Sequence, residues 1–293
     1  MSMIMLENCQ YYITALRNRI ASRLSMLAKP PIGFVSQPEP RSIGDPVRGR
    51  QLAAGTLLFA GQTITAPDTT LWNIPVPDSD FTTAIQGCKW LDDMAAAGDG
   101  KARKTAQTWV WRWIKKYGHG SGPGWTPELA GQRLIRWLHH ALFLLRGQDR
   151  AKTDVFLNSL AQQTIFLANR AHAAPPGLPR LEAQVGLIYA SLSLEGMSKF
   201  LQPALDALGK ECNTHIDIHG GIATPEDIFP PGAQTLCQPH QEFLLKVYIL
   251  QTQLLMPVPW LLGLARGHPC PQHRQAKQLC KSVAAPHLLA SPF

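Results

Sequence analysis

Charge is scarce in this chain. Only 16% of its 293 residues are Asp, Glu, Lys or Arg, against roughly 25% in ordinary globular chains. Twenty-eight Lys and Arg set against 20 Asp and Glu leave a net charge of +8. That excess comes without a recognisable nucleic-acid module, so no nucleic-acid partner is expected. No apolar run approaches the ~18 residues of a membrane span, so no transmembrane segment is expected. An export signal is missing too. Glu7 and Asn8 interrupt the first apolar stretch, and Arg17, Arg19 and Arg23 fall where a signal would need its apolar core. A cytoplasmic location is therefore expected.

Familiar cofactor and metal patterns are absent as well. Six cysteines (Cys9, Cys88, Cys212, Cys237, Cys270 and Cys280) are scattered over the chain, which is not a disulfide framework and suits a reducing compartment. GHGSGPG at 118–124 lacks the Gly-Lys-Ser/Thr ending of a phosphate loop and reads as a link or cleft rim. Cys237-x2-His240 and Cys270-x2-His273 have no hairpin around them. His215 and His219 are four apart without the Glu of a zincin. Neither a metal nor a cofactor is called for.

What is present is apolar and frequently interrupted. The apolar share is 45%, with eight tryptophans, 24 prolines and 23 glycines. That is enough to build a sizeable core, in one large or two ordinary domains at ~150 residues each. Met3, Leu6, Tyr11, Leu16, Ile20 and Leu24 suggest an amphipathic first helix with a basic face. Such a helix packs on its own domain or lies on an anionic membrane surface. Residues 30–80 are rich in proline stops and are expected to wrap a surface rather than form a core layer.

Beyond residue 78 the periodicity is helical. Phe81, Ile85, Cys88, Trp90 and Met94 share one face up to Gly98 and Gly100, and Ala106 to Tyr117 form a second helix stopped by Gly118. Thr126 as N-cap and Pro127 at N1 open a third, carrying Leu134, Leu138, Ala141, Leu142 and Leu145. Further helices follow over about 151–171, through Leu181–Leu192, and through Phe200–Leu208. No run of alternating apolar and polar residues competes with them before residue 225. The expected class is all-α, built of helical hairpins with short links. The expected divisions are 1–77 (first helix and proline-rich segment), 78–228 (helical) and 229–293 (an atypical tail). From Pro230 onward Glu242 is the one acidic residue, while three cysteines and four histidines gather there. The tail reads as poorly ordered or as an altered reading frame.

Two helical faces carry candidate chemistry. Arg133, Arg136, Trp137 and His140 fall in one arc at 100° per residue, opposite the apolar stripe. Guanidiniums pair carboxylate or sulfate bidentately, and an indole offers a flat surface to a pyranose. The same face can equally be an ordinary surface with Trp137 packed on a neighbour. His139 points between the two faces and reads as structural. On a later helix Glu182, Gly186, Tyr189 and Ser193 line up. That line suits proton transfer by Tyr189, or a hydrogen-bonded helix contact in which Gly186 permits close approach.

The stretch GPGWTPELAGQRLIRWLHHALFLL resembles a pattern of heparinase II/III-type polysaccharide lyases, Gly-Trp-x-Pro followed by Arg-x-x-Asn-Trp. Gly124, Trp125, Pro127, Arg133 and Trp137 match. RSIGDPVRGRQLAAGTLLFAG and GCKWLDDMAAAGD are similar to the same family upstream, LPRLEAQVGLIYASLSLEG and DIHGGIATPED downstream, so the likeness covers about residues 35–227. It implies an incomplete (α/α) toroid, without the β-sandwich that follows in the family. The implied activity is β-elimination on a uronate-containing, acidic polysaccharide, and such lyases are often exported, which sets the periplasm or envelope beside the cytoplasm as a location. On this resemblance Trp125, Arg133, Arg136 and Trp137 would hold the glycan, with His140 and Tyr189 as proton-transfer candidates. Several family positions differ. Arg136 replaces the motif Asn, Leu178-Pro179 stand for an Asn-His stretch, Ala183 stands for the Asn that follows it, and no Tyr lies within Thr224–Phe229. A non-catalytic glycan- or envelope-binding toroid, and a truncated or frame-altered product, are the rival readings.

Overall fold

A computed structural model describes residues 2–27, 33–40, 43–67 and 69–215. These are mostly helical. The ten helices among them are α1 (Ser2–Leu24), α2 (Pro46–Ala53), α3 (Ser79–Gln86), α4 (Trp90–Ala97), α5 (Gly100–Tyr117), α6 (Pro127–His139), α7 (Ala141–Leu145), α8 (Arg150–Arg170), α9 (Leu178–Ser193) and α10 (Leu201–His215). No helix is long and apolar enough to cross a membrane among the described residues. The tail beyond residue 215, with its Cys-x2-His pairs, and the partner candidates His215 and His219 as a pair lie outside the described residues.

Aspartate starts four of these helices. Asp45, Asp78, Asp99 and Asp149 each accept a hydrogen bond from a first-turn backbone N–H of α2, α3, α5 and α8, satisfying donors that the helix itself cannot use. Thr126 and Pro127 stand where expected at the start of α6, but the Thr126 hydroxyl makes no capping bond. Gly98 ends α4 in the left-handed conformation, φ 67°. Gly100, expected to be part of that stop, instead opens α5.

Three expectations fail locally. The segment before residue 80 does more than wrap: α2 and a hairpin of β1 (Thr56–Phe59) and β2 (Gln62–Thr65) insert Leu52, Leu57 and Phe59 into the core, and Leu71, Trp72 and Ile74 follow them. The hairpin pairs Thr56 with Thr65 and Phe59 with Gln62. Ala60 (φ 50°) and Gly61 (φ 76°) make its two-residue turn, the doubly left-handed kind that matches strand twist. Four-residue strands are too short for period-two patterning to stand out. Next, the face running from Phe81 to Met94 belongs to two helices, α3 and α4, broken where Cys88 takes φ 60°. Finally, α6 stops at His140 (φ −105°, ψ 21°) before α7 begins. That break turns α7 out of register, so Leu142, assigned to the buried stripe, is 73% exposed.

The tightest helix pair is α6 with α9. A Cβ on Gly131 would lie 2.4 Å from the Glu182 carbonyl oxygen, and one on Gly186 would lie 2.5 Å from the Gly131 Cα. The two backbones touch, and only glycine on both sides permits it. The close-approach reading of Gly186 thus holds. Gly131→Val or Gly186→Val forces the helices apart and is expected to lower unfolding free energy by about 3 kcal/mol, read by urea denaturation. Gly100→Ala, with open space around it, should stay within about 0.5 kcal/mol of the parent.

Candidate functional site

α6 is the helix on which the candidate residues sit, and it is enclosed on nearly every side. α9, α8 and α3 pack along it, and α7 follows it. The arc of Arg133, Arg136, Trp137 and His140 therefore faces protein, not solvent: Arg133 and Trp137 have no exposed surface, and Arg136 and His140 keep about one twentieth of theirs. The expectation of an open, ligand-facing surface is corrected here. Four polar or aromatic side chains opposite an apolar stripe look solvated on one helix, but a central helix has no solvent side.

Arg133 occupies a cage of neutral groups. Its Nε donates to Gln163 Oε1 at 2.7 Å, and Nη1 donates to the carbonyl oxygens of Gln86 (3.2 Å) and Gly124 (3.1 Å). The guanidinium lies 4.0 Å from the Trp113 ring centroid and 6.0 Å from that of Trp125, at cation–π range. Burial pulls its pKa down to about 10, so it stays charged at neutral pH. The same charge reaches Cys88, whose thiol is nevertheless pushed up to about 11 by burial, with the Arg133 charge opposing. A thiol so placed is inert as a nucleophile.

The tryptophans are core as well. Trp113 meets Trp125 at 6.1 Å and Trp137 at 5.4 Å, Trp137 stacks on Phe156 at 5.5 Å, and Trp125 packs edge-on to Phe166. Indole N–H groups find acceptors inside: Trp113 on Gln86 Oε1 and Trp125 on the Tyr117 carbonyl oxygen, both 2.8 Å. Trp125 and Trp137 thus present no free face to a sugar.

Polar chemistry concentrates at the C-terminal end of α6. Asp92, in the first turn of α4, takes His140 Nε2 on Oδ1 at 2.7 Å and faces Arg136 Nε with Oδ2 at 3.5 Å. One carboxylate thus holds an imidazole and a guanidinium. The carboxylate can only accept, so Nε2 is the ring nitrogen that carries the proton in this contact. Beside it, the His139 ring stands edge-on to Tyr189 of α9 at 5.1 Å. Gln132 Nε2 donates to Glu182 Oε2 at 2.5 Å across the same helix pair. The fold thereby brings Arg136 and His140 to Asp92, sets Tyr189 against the neighbouring His139, and separates Arg133, Trp125 and Trp137 into the aromatic core.

Asp92 was missed in the sequence. In WLDD it reads as a helix-start acid that favours the dipole, and its partners are 44 and 48 positions away. Gln86 and Gln163 were missed for the same reason. A cleft of about 280 Å³ lies elsewhere, between α5 and the hairpin, lined by Lys101, Lys104, Thr70, Thr108, Leu57 and Trp109 among others. It shares no residue with the Asp92 cluster. Among the described residues no group of three or more His, Cys, Asp and Glu side chains is placed to hold a metal ion, and Cys9, Cys88 and Cys212 are free thiols.

No family model matches this chain, and no curated protein or solved structure matches it either.

His139 gives the site a pH signature. Burial, helped by the His140 and Arg136 charges and opposed by Asp92, lowers its pKa from 6.5 to about 4. Between those values the unfolded chain binds a proton that the folded chain refuses, so stability is expected to fall as pH drops from 6.5 to 4. The loss approaches about 3 kcal/mol. Urea melts of the parent and of His139→Asn across that window test it: the slope assigned to this histidine should vanish in the variant.

Proposed function

We propose that the chain is a polysaccharide-lyase domain of the heparinase II/III kind, an incomplete (α/α) toroid acting by β-elimination on a uronate-containing, acidic polymer. The helical architecture and the ordered likeness over residues 35–227 support the family. The observation that carries the chemistry is the Asp92–His140–Arg136 cluster, with Tyr189 edge-on to the adjoining His139.

β-Elimination breaks the C5–H and C4–O bonds of the uronate, forms a C4=C5 double bond, and delivers a proton to the departing glycosidic oxygen. The negative charge that grows on the carboxylate must be neutralised. Arg136, which keeps 5% of its surface, is the cation for that task, and reaching it requires the C-terminal end of α6 to be uncovered. His140, oriented by Asp92, takes the C5 proton through Nδ1, and Tyr189 gives a proton to the leaving oxygen. Arg133, Trp125 and Trp137 act one layer back, fixing the wall on which Arg136 and His140 stand.

One observation favours a second reading. His140 and Tyr189 keep only 6% and 7% of their surface, whereas the cleft with Lys101 and Lys104 is open. A non-catalytic toroid that binds acidic glycan through those lysines fits that contrast.

The full chain, incubated with a panel of uronate polysaccharides, should generate the ultraviolet absorbance of unsaturated uronate. His140→Ala should cut the rate by about 100-fold or more, with circular dichroism unchanged. Glycan retention on affinity gels without product, lost in Lys101→Ala/Lys104→Ala, would establish the binding reading instead. Neither product nor retention would reject both.

A further inference from the structure

α1 is built inside out. Its packed side is polar: Asn18 and Ser22 are buried, as is Ser25 in the single turn that follows. Asn18 Oδ1 accepts from Arg170 Nε at 2.8 Å, the Ser22 hydroxyl donates to the Gly120 carbonyl oxygen at 2.8 Å, and Gln162 Nε2 reaches the Ser22 carbonyl oxygen at 3.4 Å. The opposite side is apolar and open. Leu16, Ile20 and Leu24 are 59%, 51% and 62% exposed, and Tyr12 and Ile13 extend the patch. A helix that merely decorates a domain has the reverse arrangement. Here hydrogen bonds hold the helix to α8 and the 118–124 loop, and the apolar stripe is left unused.

Charge identifies what would cover it. At 100° per residue, Leu16, Ile20, Ile13 and Leu24 span one sector, with Arg19 and Arg23 on one edge and Arg17 on the other. From Cys9 to Leu27 no acidic residue is present. A second copy docked face to face would set these arginine edges against their own equivalents. An anionic lipid surface instead meets both requirements, since arginines flank the apolar strip at headgroup level while the strip enters the acyl boundary. We propose that α1 is an interfacial helix that seats this protein on an anionic lipid bilayer through Ile13, Leu16, Ile20 and Leu24, with Arg17, Arg19 and Arg23 at the phosphates. This assignment is independent of the polysaccharide reading.

Vesicle co-sedimentation of the full chain tests it, with phosphatidylcholine alone and with phosphatidylglycerol added. Binding should appear with phosphatidylglycerol and weaken with salt. It should fall about tenfold or more in Leu16→Glu/Ile20→Glu and in Arg17→Gln/Arg19→Gln/Arg23→Gln. All substituted side chains are exposed, and an unchanged circular dichroism melt verifies that the variants fold. Absent vesicle binding, or binding that the variants retain, overturns the proposal. So does a concentration-dependent dimer in size exclusion that Leu16→Glu/Ile20→Glu abolishes while vesicles bind neither form.

Discussion

Backbone contact between α6 and α9 is the constraint from which the arrangement of the candidate site follows. Gly131 and Gly186 bring two helices closer than any side chain allows. At that separation Gln132 reaches Glu182, and His139 meets Tyr189. The polar line on α9 and the C-terminal end of α6 become one region for that reason alone. Widening the crossing by one methyl would part every one of these pairs.

Arg133 applies the same logic to the aromatic core. A buried guanidinium needs acceptors on several sides, and it finds them on the end of α3, the loop before α6, and α8. Three chain segments far apart in sequence are thereby fixed around one cation, and indoles close the remaining faces. Trp113, Trp125 and Trp137 are accounted for by this packing. These rings line an interior, and the smaller polar cluster lies around Asp92, where a carboxylate orients an imidazole and restrains Arg136.

Polarity is inverted in two places. α6 buries its charged arc, and α1 buries Asn18 and Ser22 while displaying leucine and isoleucine. Both defeat the assumption that the polar face of a helix is its outer face, and for one reason: hydrogen-bonding partners on neighbouring segments compensate buried polar groups, and no one-dimensional pattern shows those neighbours. The sequence reading of α6 as ligand-facing failed on that point, while its reading of Gly186 as a close-approach residue survived.

Helix positions were legible from the letters because their signals are local. The stop at Gly118, Pro127 at the head of α6, and the spans of α8 and α9 depend on residues within a turn or two of each boundary. The breaks at Cys88 and His140 and the short hairpin were not legible, since each answers to packing rather than to its neighbours in sequence. Residue types alone determined a mostly helical protein rich in tryptophan. Only the tertiary structure decided that Asp92 is the partner of His140, that Arg133 is a structural cation, and that α1 turns its apolar side outward. Each of those outcomes depends on groups dozens of residues apart meeting within a few ångströms, a distance that chain order does not encode.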